Sequence, residues 1–148
     1  MTEKEVLLIL TGQNDRQAED AAFRYAAQTA KGLVVLQILT SNLYHYGYHD
    51  VIATRPSKLQ FLLHIRDEVL EKGRAKSEAL KERARELSIS IEIRAVETED
   101  APSIVLSEAR KGFDTIFIGK EKKKLFPLFG KTMAERLERE CPIRVVQC

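Results

Sequence analysis

The chain has no tryptophan, and only two cysteines, four prolines and seven glycines among its 148 residues. So little glycine and proline excludes a collagen-like or low-complexity chain. Two cysteines, Cys141 and Cys148, cannot build a disulfide framework. Reduced thiols in a cytoplasmic protein are the expectation, with a single bridge between them as the alternative. Neither sign of charge dominates: 24 basic residues face 22 acidic ones, for a net +2. That balance argues against a nucleic-acid binder working through bulk positive charge. Disorder is excluded as well, because 44% of the residues are hydrophobic. No apolar run approaches the ~20 residues of a membrane span, so membrane insertion is not expected. The first run, Val6–Leu10, follows an acid-bearing start and is too short for a secretory core.

What is present is the material of one domain, residues 1–148, long enough to bury a core without metal or disulfide. Apolar runs of strand length alternate with helical stretches. Val6–Leu10, Leu33–Leu39 and Thr115–Ile118 are continuous or nearly so, 143–146 is a fifth run, and 89–96 alternates apolar with polar. Continuous β-rich runs are the mark of parallel strands covered on both faces. Between them, 15–31 places Ala18, Ala22, Tyr25 and Ala26 on one helical face, with Thr29 continuing it and Gly32 as a left-handed stop. The long segment 57–87 carries Leu62, Ile65, Val69, Leu80, Ala84 and Leu87 near helical spacing. Pro56 blocks helix upstream of it, Ser57 caps it, and Gly73 weakens its middle. Asp100 caps a third helix that ends at Gly112, and 132–139 forms a fourth. The pattern predicts an α/β domain: a three-layer, doubly wound, five-stranded parallel sheet with helices on both faces.

In such a sheet, ligands bind beyond the carboxyl ends of the strands. The loop after the first strand reads Thr11-Gly-Gln-Asn-Asp15, where Gly12 permits a tight turn and a helix N-terminus offers N–H groups to an anion. A plain strand-to-helix turn uses the same residue types. The stretch after the fourth strand holds Gly119, then four lysines in Lys120-Glu-Lys-Lys-Lys124, then an apolar patch, then Gly130-Lys131-Thr132. The lysine loop suits an anionic ligand or a protein partner, or is simply a solvated charged loop. Gly130-Lys131-Thr132 is not a nucleotide triphosphatase loop, because Leu125 stands where that pattern needs its first glycine. A dinucleotide fingerprint, Gly-x-Gly-x-x-Gly, is absent too.

The 16 residues 40–55 form the one long irregular stretch and hold Tyr44, Tyr46 and Tyr48 with His45, His49 and Asp50. The histidine spacing admits a metal, but further ligands are lacking and Gly47 interrupts any rigid helix, so aromatic contact with a ligand or partner is the stronger reading. His64 falls inside the long helix, at its surface or half-buried. All three histidines lie between positions 45 and 64, so no Ser-His-Asp set can be assigned and no catalytic residue is named. Cys141 before Pro142 reads as a packing residue.

Two segments carry a family resemblance. Asp100-Ala-Pro-Ser-Ile-Val-Leu-Ser-Glu-Ala109 followed by Gly112-Phe-Asp-Thr-Ile-Phe-Ile-Gly119 is one; Glu135-Arg136 followed by Cys141-Pro-Ile-Arg-Val-Val146 is the other. In order and spacing they resemble the universal stress protein family across almost the whole chain. The resemblance implies strand order 3-2-1-4-5, the adenine nucleotide alpha hydrolase-like arrangement. It also implies a homodimer formed through the last strand, here Ile143, Arg144, Val145 and Val146, and a stress-response role without defined catalysis. Many members bind ATP. Carried onto this sequence, the nucleotide site would comprise Thr11, Gly12, Ile38, Gly119, Lys120, Lys122, Gly130, Lys131 and Thr132. Here the chain departs from the pattern. Thr11 stands for an Asp after the first strand, Lys122 replaces the second Gly of Gly-x-x-Gly, and Lys131 replaces a Ser or Thr. The loop between Lys122 and Gly130 is also about two residues short. A lysine at a glycine position fills space that backbone needs to approach phosphate. The implied function is therefore a stress-response or regulatory protein with a degenerate ATP or adenine-nucleotide site, no cofactor being certain. The alternatives are a protein-binding module of a transporter and a genuine ATP binder. The first loop is also similar to a flavodoxin phosphate loop and an ATP-pyrophosphatase loop, but it lacks the hydroxyls of the one and the second glycine and final serine of the other.

Overall fold

Each of the five strand-length runs supplies a strand, the last one residue later than expected so that Ile143 lies outside it, and all five strands are parallel. In the computed structural model, residues 4–11, 15–39, 56–97, 101–119, 133–141 and 143–148 are described. The strands are β1 (Val6–Leu10), β2 (Leu33–Leu39), β3 (Ile91–Glu97), β4 (Thr115–Ile118) and β5 (Arg144–Gln147). The helices between them are α1 (Asp15–Thr29), α2 (Pro56–Glu86), α3 (Ala101–Ala109) and α4 (Met133–Glu140). The sheet order is β3-β2-β1-β4-β5, as the resemblance implied. The central strand β1 pairs on both sides, with Ile9 opposite Leu36 of β2 and Ile118 of β4.

Alternation along β1 sorts its side chains into two cores. Val6, Leu8 and Leu10 pack with Ala18, Ala22, Phe23 and Ala26 of α1 and with Leu80 and Ala84 of α2. Leu7 and Ile9 pack on the opposite face with Val105, Leu106 and Ala109 of α3 and Leu137 of α4. All five β1 side chains are buried, which is why the run carries no polar residue. Cys141 belongs to the second core and Cys148 packs against the first. They lie on opposite faces of the sheet, so the alternative of a bridge between them is excluded.

Several helix ends differ from expectation, each for a physical reason. α1 stops at Thr29 rather than at 31, with Ala30 in the left-handed region at φ 55° and the Lys31 N–H reaching back 3.1 Å to the Ala26 carbonyl. Gly32 is not the stop. A Cβ there would lie 3.1 Å from Glu5 Oε2, so its bareness serves packing. Pro56 is the first helical residue of α2, where its fixed φ suits the first turn, so Ser57 lies inside the helix rather than capping it. Ser88 at φ 56° ends α2, and the Ile89 N–H donates to the Ala84 carbonyl at 2.8 Å. That bond takes Ile89 out of the ladder, so β3 starts at Ile91, not 89. It also leaves Leu87 exposed instead of on the core face. Gly112, at φ 94°, closes the turn after α3 as expected.

At the lower edge of the sheet, Asp114 ties α1 to β4. Its carboxylate accepts from Tyr25 Oη at 2.5 Å, Lys31 Nζ at 2.7 Å and Thr115 Oγ1 at 3.0 Å. The Lys31 ammonium and then the Tyr25 hydroxyl hold this carboxyl at about 2, below its ordinary 3.8. At the side of the sheet, β5 pairs with β4. Val145 faces the α3/α4 core and Val146 the α1/α2 core, while Arg144 and Gln147 are exposed. Among the described residues, no helix is long and apolar enough to cross a membrane.

Candidate functional site

Parallel strands place all their carboxyl ends on one edge. After β1 the chain goes to α1 on one face; after β4 it goes to α4 on the other. The connections therefore diverge between two neighbouring strands, which opens a crevice at that point. Thr11 follows β1 and is half-buried, and Gly119 follows β4 and is buried, one step past the Ile9–Ile118 pair.

From this edge a cleft of about 560 Å³ runs between α1 and α2. Leu10, Thr11, Ile38 and Leu39 contribute the strand ends, and Gln37 lies below them. One wall is the first turns of α1, with Asp15, Arg16 and Glu19. The other is the middle of α2, with Val69, Lys72, Gly73 and Lys76. The volume lies within the roughly 300–1,000 Å³ of small-molecule sites.

Buried polar contacts hold the walls in place. Gln37 interrupts an apolar strand, and its side chain explains why. Nε2 donates to the Gly73 carbonyl at 3.0 Å, and Oε1 accepts from Ser77 Oγ at 2.8 Å. A satisfied amide in the core fixes α2 in register against β2. Gly73, which the sequence marked as a weak point in the helix, is a point of close approach. A Cβ there would come within 2.9 Å of Leu39 Cδ2. Across the cleft, the buried Glu19 carboxylate meets Lys76 Nζ at 2.6 Å, tying α1 to α2. Near the end of β3, Arg66 grips Glu97 through two bonds, at 2.8 and 3.0 Å, and holds that carboxyl below its ordinary range.

The residues expected at the site divide by position. Thr11 and Ile38 both line the cleft. Gly119 lies at the end of the neighbouring strand. Gly12, Lys120, Lys122, Gly130, Lys131 and Thr132 fall outside the described residues, as do the rest of the lysine loop and the tyrosine–histidine stretch of 40–55. The Thr11 N–H, at the place where an anion was expected, is engaged by Asp15 Oδ1 at 3.1 Å. Sequence reasoning missed Arg16, Glu19, Lys72 and Lys76. Only the pairing of helices 57 positions apart brings Glu19 to Lys76, and among so many charges on α2 neither lysine stands out. His64 is an exposed residue, 3.1 Å from Glu68. No cluster of three or more metal-ligating side chains occurs among the described residues.

No protein-family model and no curated protein matches the chain. Solved structures do. A universal stress protein family member from Burkholderia pseudomallei superposes with a TM-score of 0.68 at 23% identity, over 98% of this chain and 96% of that one. The fold is that of the universal stress proteins. One from Archaeoglobus fulgidus, solved in complex with dAMP, aligns over 99% and 98% of the two chains, with TM-score 0.60 and 10% identity. Another, from Arabidopsis thaliana with AMP bound, aligns over 97% and 90%, with TM-score 0.61 and 12% identity. At such identities the likeness is one of fold.

Proposed function

We propose that this chain is a non-catalytic, universal-stress-type protein whose cleft takes an adenine nucleoside monophosphate in preference to ATP. The observation that carries the reading is the cleft itself. It opens at the carboxyl ends of β1 and β2, and Thr11 and Ile38 both line it. Neighbours of the same fold hold AMP and dAMP. Backbone at the strand ends suits the edge of a base, and the aliphatic side chains of Leu10 and Leu39 suit its face, whereas the Ile38 side chain packs in the α3/α4 core. The preference for a monophosphate follows from the sequence after β4, where Lys122 and Lys131 replace residues of the ATP pattern. One phosphate needs less of that loop than three. The protein acts as a cytoplasmic homodimer through β5, whose outer edge requires cover.

Thermal unfolding with AMP, with ATP and Mg²⁺, and with adenosine tests this reading. AMP should raise the melting temperature in a concentration-dependent manner and ATP should raise it less. A larger rise with ATP would refute the degenerate triphosphate site. Light scattering at micromolar concentration should give twice the chain mass of 16.9 kDa, and a monomer there would refute the dimer.

A further inference from the structure

The cleft between α1 and α2 is apolar at the strand ends and polar in its depth. Leu10 and Leu39 lie at the ends of β1 and β2, with Val69 of α2 beside them. Both helices run down from this edge, so Glu19 lies one turn below Asp15 and Lys76 one turn below Lys72. Glu19 and Lys76 close the far end over the floor formed by Gln37. The Gln37 amide is committed to the Gly73 carbonyl and the Ser77 hydroxyl. The Glu19 carboxylate is not fully committed. Its side chain is 8% exposed, Oε2 meets Lys76 Nζ at 2.6 Å, and that ammonium is its one partner among the described residues. A carboxylate offers about four acceptor sites on its two oxygens. No fully enclosed side-chain oxygen among the described residues is without a partner, so the second oxygen opens onto the cleft. Lys76, partly exposed, presents its remaining N–H groups beside it.

We infer that Glu19 reads the base of the nucleotide: its second oxygen accepts the exocyclic amine of adenine, and Lys76 beside it donates to the neighbouring ring nitrogen. This rests on the nucleotide reading above and deepens it by naming what selects the base. The sheet order gives the direction. β1 lies between β4, after which the phosphate belongs, and β2, over which the cleft opens. A nucleotide with its phosphate beside Gly119 and its base against Leu10 and Leu39 therefore points away from β4. The amine of adenine sits on the six-membered ring, remote from the ribose, so it enters deepest. There the amine offers a donor and the adjacent ring nitrogen an acceptor, and a carboxylate next to an ammonium presents the complementary pair. An oxopurine in the same pose sets a carbonyl oxygen against the carboxylate and a protonated ring nitrogen against the ammonium, so both contacts are mismatched.

Calorimetric titration of the full chain with AMP, with its deamino analogue purine riboside 5′-monophosphate, and with IMP tests the assignment. The wild type should bind AMP about tenfold more tightly than the deamino analogue, the scale of one hydrogen bond to a charged group. IMP, which mismatches both contacts, should bind more weakly still. Glu19→Gln keeps the shape of the side chain, removes its charge and adds an N–H. It should weaken AMP about three- to tenfold, leave the deamino analogue unchanged and tighten IMP. Lys76 is partly exposed, so its ammonium stays hydrated in this variant, and thermal unfolding without ligand checks that the fold is kept. Equal binding of AMP and the deamino analogue by the wild type would overturn the assignment and leave nucleotide binding in place; that comparison needs no substitution. An unchanged ratio between the two in Glu19→Gln would overturn it as well. Failure of all three to bind the wild type would overturn the nucleotide reading together with it.

Discussion

The two faces of the sheet are covered by different means. On the α3/α4 face, helices of 9 and 8 residues lie over an apolar core. Its buried charge, Glu108, lies against the β3 side, where Arg94 and Lys111 satisfy it. On the α1/α2 face, helices of 15 and 31 residues share a core with Phe23 and Leu80. Two of the buried polar groups there, Gln37 and Glu19, lie at the floor and wall of a cleft. The lesson is that polar side chains can fix two helices at a chosen separation, whereas apolar packing alone closes the space between them.

The largest effects should come from the dry centres, where the faces are alike. Phe23→Ala and Leu137→Ala remove fully buried side chains from opposite cores. Each should cost about 3–5 kcal/mol in urea unfolding. A loss below about 1 kcal/mol for one of them would show that its face is loosely packed. Next comes Asp114, which binds α1 to β4. Its folded pKa of about 2 lies below the ordinary 3.8, so its stabilisation is full above the higher value. It is lost as pH falls through the lower one. Asp114→Asn should remove about 2 kcal/mol near neutral pH and flatten the acid limb of stability against pH. An unchanged acid limb would contradict the assigned cluster.

Smaller effects distinguish the cleft from the cores. Gln37→Leu keeps the volume but leaves the Ser77 hydroxyl without its acceptor, and should cost about 1–2 kcal/mol. It should also weaken AMP binding by letting α2 shift, whereas Leu137→Ala should not. Gly73→Ala should be nearly neutral. A gain of about 1 kcal/mol in helix propensity is offset by displacing Leu39. A clear stabilisation would mean that α2 does not approach β2 as closely as the Leu39 contact requires.

Much of the architecture was legible because parallel strands need apolar residues on both faces. Val6–Leu10, Leu33–Leu39 and Thr115–Ile118 have the bounds the sequence suggested. Helix ends were less legible. Gly112 could be read, but the other left-handed residues are Ala30 and Ser88, which no propensity favours, and the nearby Gly32 is reserved for Glu5. The site was half legible. Thr11 and Ile38 follow from strand ends, which can be read in one dimension. Gln37 lay in view within an apolar run, but its partners Gly73 and Ser77 are 36 and 40 residues away. The charges of the cleft are hidden for the same reason, since the neutralisation of Lys76 by Glu19 exists only once α1 and α2 are side by side.

Amide chemical shifts recorded during titration with AMP test the central claim most directly. The account predicts that the amides of Thr11, Ile38 and Gly73 shift together and saturate with one dissociation constant, while those of Val105 and Leu137 stay in place. Shifts confined to the α3/α4 face, or none at saturating AMP, would contradict it.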